Sequence, residues 1–154
     1  MKGDHVRVIK PPDPKKADTT GFDYMAGVVA ETVACERIAL QLVRIQPGVR
    51  SQAHSHGEHE SAAYVLEGEV VTWYGEALEK HVTARAGDFV FIPAGVPHVA
   101  ANYGDSDAVA LMARSDPNAQ ETVETFPELD RLGHILKEPT RVPLRRAPRP
   151  RRPF

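Results

Sequence analysis

The chain has a single cysteine, Cys35, so it can form neither an intramolecular disulfide nor a cysteine-rich zinc cage, and a reducing compartment such as the cytoplasm is the natural expectation. Long apolar runs are missing too. Stretches such as Ala62 to Leu66 and Phe89 to Ile92 are only a few residues long, far short of the ~18 that span a bilayer, so no membrane segment is expected. The opening residues Met1-Lys2-Gly3-Asp4-His5 are polar and carry no apolar signal region, so secretion is not expected either. Helical periodicity is nearly absent between residues 28 and 113. No DNA-reading helix-turn-helix pattern flanks that stretch, so neither nucleic acid nor a regulator of transcription is expected.

At 154 residues the chain has room for one domain with a real hydrophobic core, and hence for one site. The net charge of −2 is unevenly spread: Lys137 and the arginines at 141, 145, 146, 149, 151 and 152 stand against Glu138 alone. Five prolines are interleaved with those arginines. Such a composition buries little apolar surface, so residues 137–154 read as a basic, disordered or surface-draped tail, with solubility or docking to an acidic partner as its roles. Residues 1–21 read as an extended piece, His5 to Ile9, followed by a loop. That leaves 22–136 as the folded domain.

Within it, short β-branched and aromatic stretches alternate with turn glycines at 48, 57, 68, 75, 87, 95 and 104. Strands are expected at Ile38 to Leu42, Glu69 to Tyr74, Glu79 to Ala84, Asp88 to Ile92 and Ala108 to Ala113. In the first of these Ile38, Leu40 and Leu42 alternate as the core-facing set. Many short strands at roughly ten-residue spacing mean an all-β sandwich or barrel, and a jelly-roll closes most of the edges that such strands leave open. A short helix is expected over Pro127 to Leu136, capping one end.

The chemistry concentrates in two places. The first is His54-Ser55-His56-Gly57-Glu58-His59-Glu60, preceded by Gly48 and followed by Gly68. Histidines two apart on a strand point to the same face, so both imidazoles can reach one ion, and a carboxylate after the following turn supplies an oxygen ligand. The second is Gly87 to Asn102, in which Pro93, Gly95 and Pro97 fix a turn that delivers His98 onto a strand, 42 residues after His56.

Together the two stretches resemble the paired signatures of the cupin superfamily. The second matches at every fixed position: Gly87, Pro93, Gly95, His98 and Asn102. The first is irregular at the acid. Counting from His56 puts it at Glu60 and leaves seven residues rather than six before Gly68, whereas counting back from Gly68 lands on Ser61. Glu60 and Ser61 cannot both face inward along one strand, and Glu60 is expected as the ligand because serine coordinates poorly. Glu58 and His59 compete for that fourth position, or serve beside the ion as general acid or base. The resemblance, which spans Ile38 to about Ala113, implies a double-stranded β-helix with a metal in the barrel mouth on His54, His56, Glu60 and His98, and a homodimer.

Three imidazoles and one carboxylate suit iron, zinc, manganese, nickel, cobalt or copper rather than calcium or magnesium. Two functional readings follow. One is a metal-dependent enzyme on a small organic substrate, either a dioxygenase or an isomerase or lyase. The other is a non-catalytic barrel that senses or stores a metal or small ligand. Gln41, Arg44, Tyr64, Trp73, Phe91 and Met112 are candidate pocket walls, with core packing the commoner fate of such residues.

Overall fold

The structure, a computed structural model, describes residues 5–16, 20–118 and 123–140. Most of the basic tail, residues 141–154, lies outside them. Eleven strands are present among the described residues: β1 (Lys15–Lys16), β2 (Asp23–Val28), β3 (Ala39–Ile45), β4 (His54–Ser55), β5 (Ser61–Glu67), β6 (Glu69–Tyr74), β7 (Lys80–Arg85), β8 (Phe89–Ile92), β9 (His98–Ala101), β10 (Ala108–Arg114) and β11 (Glu124–Thr125). They form two antiparallel sheets, ordered β1-β2-β3-β10-β5-β8 and β11-β4-β9-β6-β7. This is the all-β jelly-roll expected. A one-turn helix, Ala30–Val33, follows β2.

Register decides which side chains line the interior. In the first sheet Met112 stands opposite Gln41 and Ala63, and Arg114 opposite Ala39 and Ser61. The buried members of β3 are Ala39, Gln41, Val43 and Ile45, so these form the inward row. Leu40 and Leu42 take the other face, and Ile38 is exposed, which reverses the expectation for this strand. The reason is a second apolar surface. Phe89 and Phe91 on β8 are 83% and 61% exposed and lie across from Tyr64 and Ala62. Those residues in turn lie across from Leu111 and Ala113, and these from Leu42 and Leu40. An apolar stripe therefore crosses the outside of the first sheet, and alternation alone cannot tell such a face from a core face.

The interior row packs into one core cluster of Phe22, Tyr24, Val43, Ile45, Val70 and Ala108, with Met112 against it. A second cluster lies on the far side of the second sheet, where Ala53, Val71, Trp73, Leu78, Val99 and Ile135 pack with Tyr103, Phe126, Leu129 and Leu132. The C-terminal segment thus covers the outer face of that sheet. It does so as two 3-10 turns, Leu129–Arg131 and Gly133–Leu136, where one short helix at an end of the barrel was expected. Its polar groups are tied down as well. Asp130 accepts from the Ala53 amide at 2.9 Å and from Arg50 at 3.1 Å, and His134 Nε2 lies 2.8 Å from the Leu78 carbonyl.

Gly68 carries the chain from β5 in one sheet to β6 in the other, with a φ of +73°. A Cβ there would sit 2.6 Å from the Asp107 carbonyl oxygen and 2.9 Å from the Ala108 Cα. Only glycine fits this turn, because the left-handed backbone and the close approach both reject a side chain.

Candidate functional site

His54 and His98 are register partners on β4 and β9, and both side chains enter the space between the sheets. His56, two residues beyond His54, joins them by the alternation of strand geometry. Ring centroids lie 4.4 Å apart for His54 and His98, 4.9 Å for His54 and His56, and 5.0 Å for His56 and His98. One ring nitrogen from each lies within 4.8 Å of the others, and all three residues are buried.

Two of the rings are locked by the main chain. His54 Nδ1 lies 2.7 Å from the Gln52 carbonyl, and His98 Nδ1 lies 2.9 Å from the Val96 carbonyl. A carbonyl only accepts, so each Nδ1 carries the proton and each Nε2 offers a lone pair. β4 itself is short but held on both sides. β11 pairs with it, and the Phe126 amide donates to the Ala53 carbonyl at 2.8 Å.

The electrostatics keep the rings neutral. Burial pushes the His98 pKa down to about 3, with the neighbouring His54 adding to the effect. Burial, then the Arg114 charge, then the other rings push His56 down to about 2. His54 is lowered as well, again chiefly by burial. Neutral imidazole is the form that coordinates a metal.

The acid expected in this site is elsewhere. Ser61, 2% exposed, faces the interior, and Glu60 is exposed on the other side of the strand. The turn after His56, closed by the His59 amide on the His56 carbonyl at 3.1 Å, absorbs the extra residue of the motif and sets this phase. Glu60, the expected fourth ligand, thus stands outside the group of converging ring nitrogens. Glu58 is exposed, and His59 is half-buried with Nε2 3.7 Å from Asp116 Oδ2, so neither belongs to the group of converging ring nitrogens.

In place of a carboxylate stands Arg114, 4% exposed, at the inward end of β10. Its Nε donates to Ser61 Oγ at 3.2 Å, and its Nη2 lies 3.3 Å from His56 Nε2. Arg114 Nη1 and His56 Nδ1 are buried and have no hydrogen-bond partner. Burial lowers the Arg114 pKa, while the charges of Tyr24 and Asp116 oppose that shift. The sequence held one signal for this residue, since Arg114 shares its parity with Ala108, Ala110 and Met112 on β10. Of the candidate pocket walls, Gln41 and Met112 lie on the inward rows. Tyr64 and Phe91 lie on the outer stripe, Arg44 is paired with Asp23 at 2.6 Å, and Trp73 belongs to the second core.

Asn102, the last fixed residue of the second motif, is structural. Its Nδ2 donates to the carbonyls of Ile45 and Ser106 at 2.9 and 2.8 Å, and its Oδ1 accepts from the Gly104 amide at 2.9 Å.

The cupin-domain family model matches residues 41–114, the span that contains all of these groups. Among solved structures, the oxalate decarboxylase of Lactobacillus farciminis superposes with a TM-score of 0.60 at 21% identity over 74% of this chain. A predicted oxalate decarboxylase from Thermotoga maritima gives 0.57 at 21% over 66% of this chain and 90% of its own length. The Bacillus subtilis oxalate decarboxylase, a protein with Mn(II) centres, gives 0.60 at 19% over 75%. The chain spans about a third of the Lactobacillus farciminis and Bacillus subtilis proteins, 33% and 30% of their lengths. No curated protein matches it by sequence. At these identities the likeness concerns the fold, and it agrees with the motifs and the family match: residues 41–114 match the cupin domain, and the chain has the cupin fold.

Proposed function

We propose that the protein is a metal-dependent enzyme that holds one divalent transition metal on His54, His56 and His98 and acts on a small organic substrate. The observation that carries this reading is the pair of main-chain locks, Gln52 on His54 and Val96 on His98, which leave the Nε2 lone pairs of two rings free within a group whose ligand atoms lie within 4.8 Å of one another. The donor set fits such an ion: three neutral imidazoles suit iron, manganese, zinc, nickel, cobalt or copper. His56 joins the same group with its Nε2 3.3 Å from Arg114 Nη2, while its buried Nδ1 has no hydrogen-bond partner. An ion held by three protein nitrogens keeps open positions, and supplies a Lewis acid or, with iron or copper, a redox centre beside the substrate. Around it Ser61, Gln41 and Met112 supply the inner wall and Arg114 a fixed positive charge.

Elemental mass spectrometry of protein purified without chelator or nickel affinity resin tests this directly. Metal near one per chain, lost in His54→Ala and His98→Ala, is expected. Iron or copper then directs the search to oxygen uptake, and zinc, manganese or nickel to isomerase and lyase assays. Failure to retain any of these metals, even after loading, refutes the reading. Metal retained without turnover on any small substrate favours the binding or storage barrel. The homodimer is supported by the stripe of Phe89, Phe91, Tyr64, Leu111 and Leu42, since apolar surface of this kind is usually covered in solution. Sedimentation of wild type and Phe91→Asp checks it, with a dimer and a monomer expected.

A further inference from the structure

We infer that Arg114 makes this an anion-dependent site, in which a small carboxylate bearing an oxygen on the adjacent carbon binds together with the metal. The inference rests on the metal reading above, and goes on to the class of ligand and its recognition.

The first argument is charge. Among the described residues, the converging group contains three histidines and no acid. Ser61 takes the inward position after the motif's turn, and its hydroxyl receives Arg114 Nε at 3.2 Å. A divalent cation placed among neutral imidazoles is repelled by the guanidinium beside it, and the carboxylates whose charges reach the site, Asp116 acting on Arg114 and Asp130 on His54, stand outside the converging group and offset this only from a distance. An anion that reaches both removes the repulsion.

The second argument is the unfilled donor. Arg114 is 4% exposed, its Nε donates to Ser61 Oγ, its Nη2 lies against both His56 Nε2 and Met112 Sδ, and Nη1 is buried without a hydrogen-bond partner. Asp116 is buried nearby, but the Asn118 amide donates to it at 3.0 Å and His59 lies 3.7 Å from it. A buried N–H that lacks an acceptor is costly, and a carboxylate oxygen on Nη1 supplies a charge-assisted hydrogen bond. The ligand's carboxylate therefore sits on Arg114, and the vicinal oxygen turns toward the histidines.

Reciprocity follows. If the anion relieves the repulsion felt by the metal, the metal tightens the anion by the same factor. Cobalt(II) titrations of the full chain, followed by visible absorption, test this with glycolate as the probe and glycolamide as its uncharged counterpart. Millimolar glycolate is expected to tighten cobalt binding about tenfold or more, within the usual range of coupling between sites, and glycolamide to leave it unchanged. In Arg114→Gln the glycolate effect disappears, while cobalt alone binds more tightly than in wild type. Arg114→Lys retains part of the effect, and Ser61→Glu, which keeps the arginine but neutralises it in place, abolishes the effect. Thermal melting of each variant verifies that it is folded. Equal effects of glycolate and glycolamide, or an undiminished glycolate effect in both folded Arg114→Gln and Ser61→Glu, overturn the proposal. If cobalt fails to bind with or without glycolate, the metal reading fails. The anion site is then decided on metal-free protein by the Arg114 Nε–H resonance: a shift with glycolate but not with glycolamide upholds it, and no shift overturns it.

Discussion

Acidifying the metal-free protein should unfold it well before its surface carboxylates would require. His98 and His56 hold folded-state pKa values of about 3 and about 2 against an ordinary 6.5. Between those limits the unfolded chain binds the protons and the folded chain does not, so stability falls as pH drops below about 6.5. Each unit of pH well inside this window is worth about 1.4 kcal/mol per histidine, so lowering the pH from 6.5 to about 4.5 removes roughly 2.5 kcal/mol for each ring and about 5 for the pair. His54 is shifted the same way and adds to the loss. A domain of this size is stable by about 5–15 kcal/mol, so the loss is a large fraction of the total. Urea unfolding of chelator-treated protein, followed by Trp73 fluorescence at several pH values across this window, measures the slope. The His56→Gln/His98→Gln double variant isolates the histidine contribution from that of the carboxylates, and its midpoint should be much flatter with pH. Equal slopes in the two proteins would refute the argument, because the rings would then take up protons in the folded state as readily as in the unfolded one.

Three further outcomes follow from the packing. Asn102→Ala orphans the Ile45 and Ser106 carbonyls and the Gly104 amide, and is expected to cost about 2–4 kcal/mol in urea unfolding, since each unmet buried group costs about 1–3. Gly68→Ala pushes a methyl into the Asp107 carbonyl on a left-handed backbone. Its loss should exceed 2 kcal/mol by calorimetry, since strained backbone and overpacking each cost ~1–3. Ile135→Ala leaves a cavity against Trp73, Val71 and Leu78 and should cost about 2–5 kcal/mol, and because that segment covers the strands bearing His54 and His98, hydrogen exchange at β4 should quicken as well.

The sequence was a good guide to the fold and a partial guide to the site. Short strands and turn glycines were enough for an all-β jelly-roll, because period-two alternation and left-handed turns are local properties of the backbone. Spacing also identified His54, His56 and His98, since histidines two apart on a strand share a face wherever that strand is placed. Three outcomes needed the third dimension. Whether Glu60 or Ser61 faces inward depended on how the turn after His56 absorbs one residue, and a one-residue slip reverses every side chain beyond it. The inward row of β3 could not be read from Leu40 and Leu42, because the outside of the first sheet is apolar too. Arg114, 58 residues from His56 in sequence, meets it only because β10 pairs with β5 in a register that brings Arg114 opposite Ser61. Local sequence determined which residues form strands and turns and which histidines share a face. Strand pairing at long range decided the charge that those histidines meet, because register is fixed by the whole sheet rather than by any one strand.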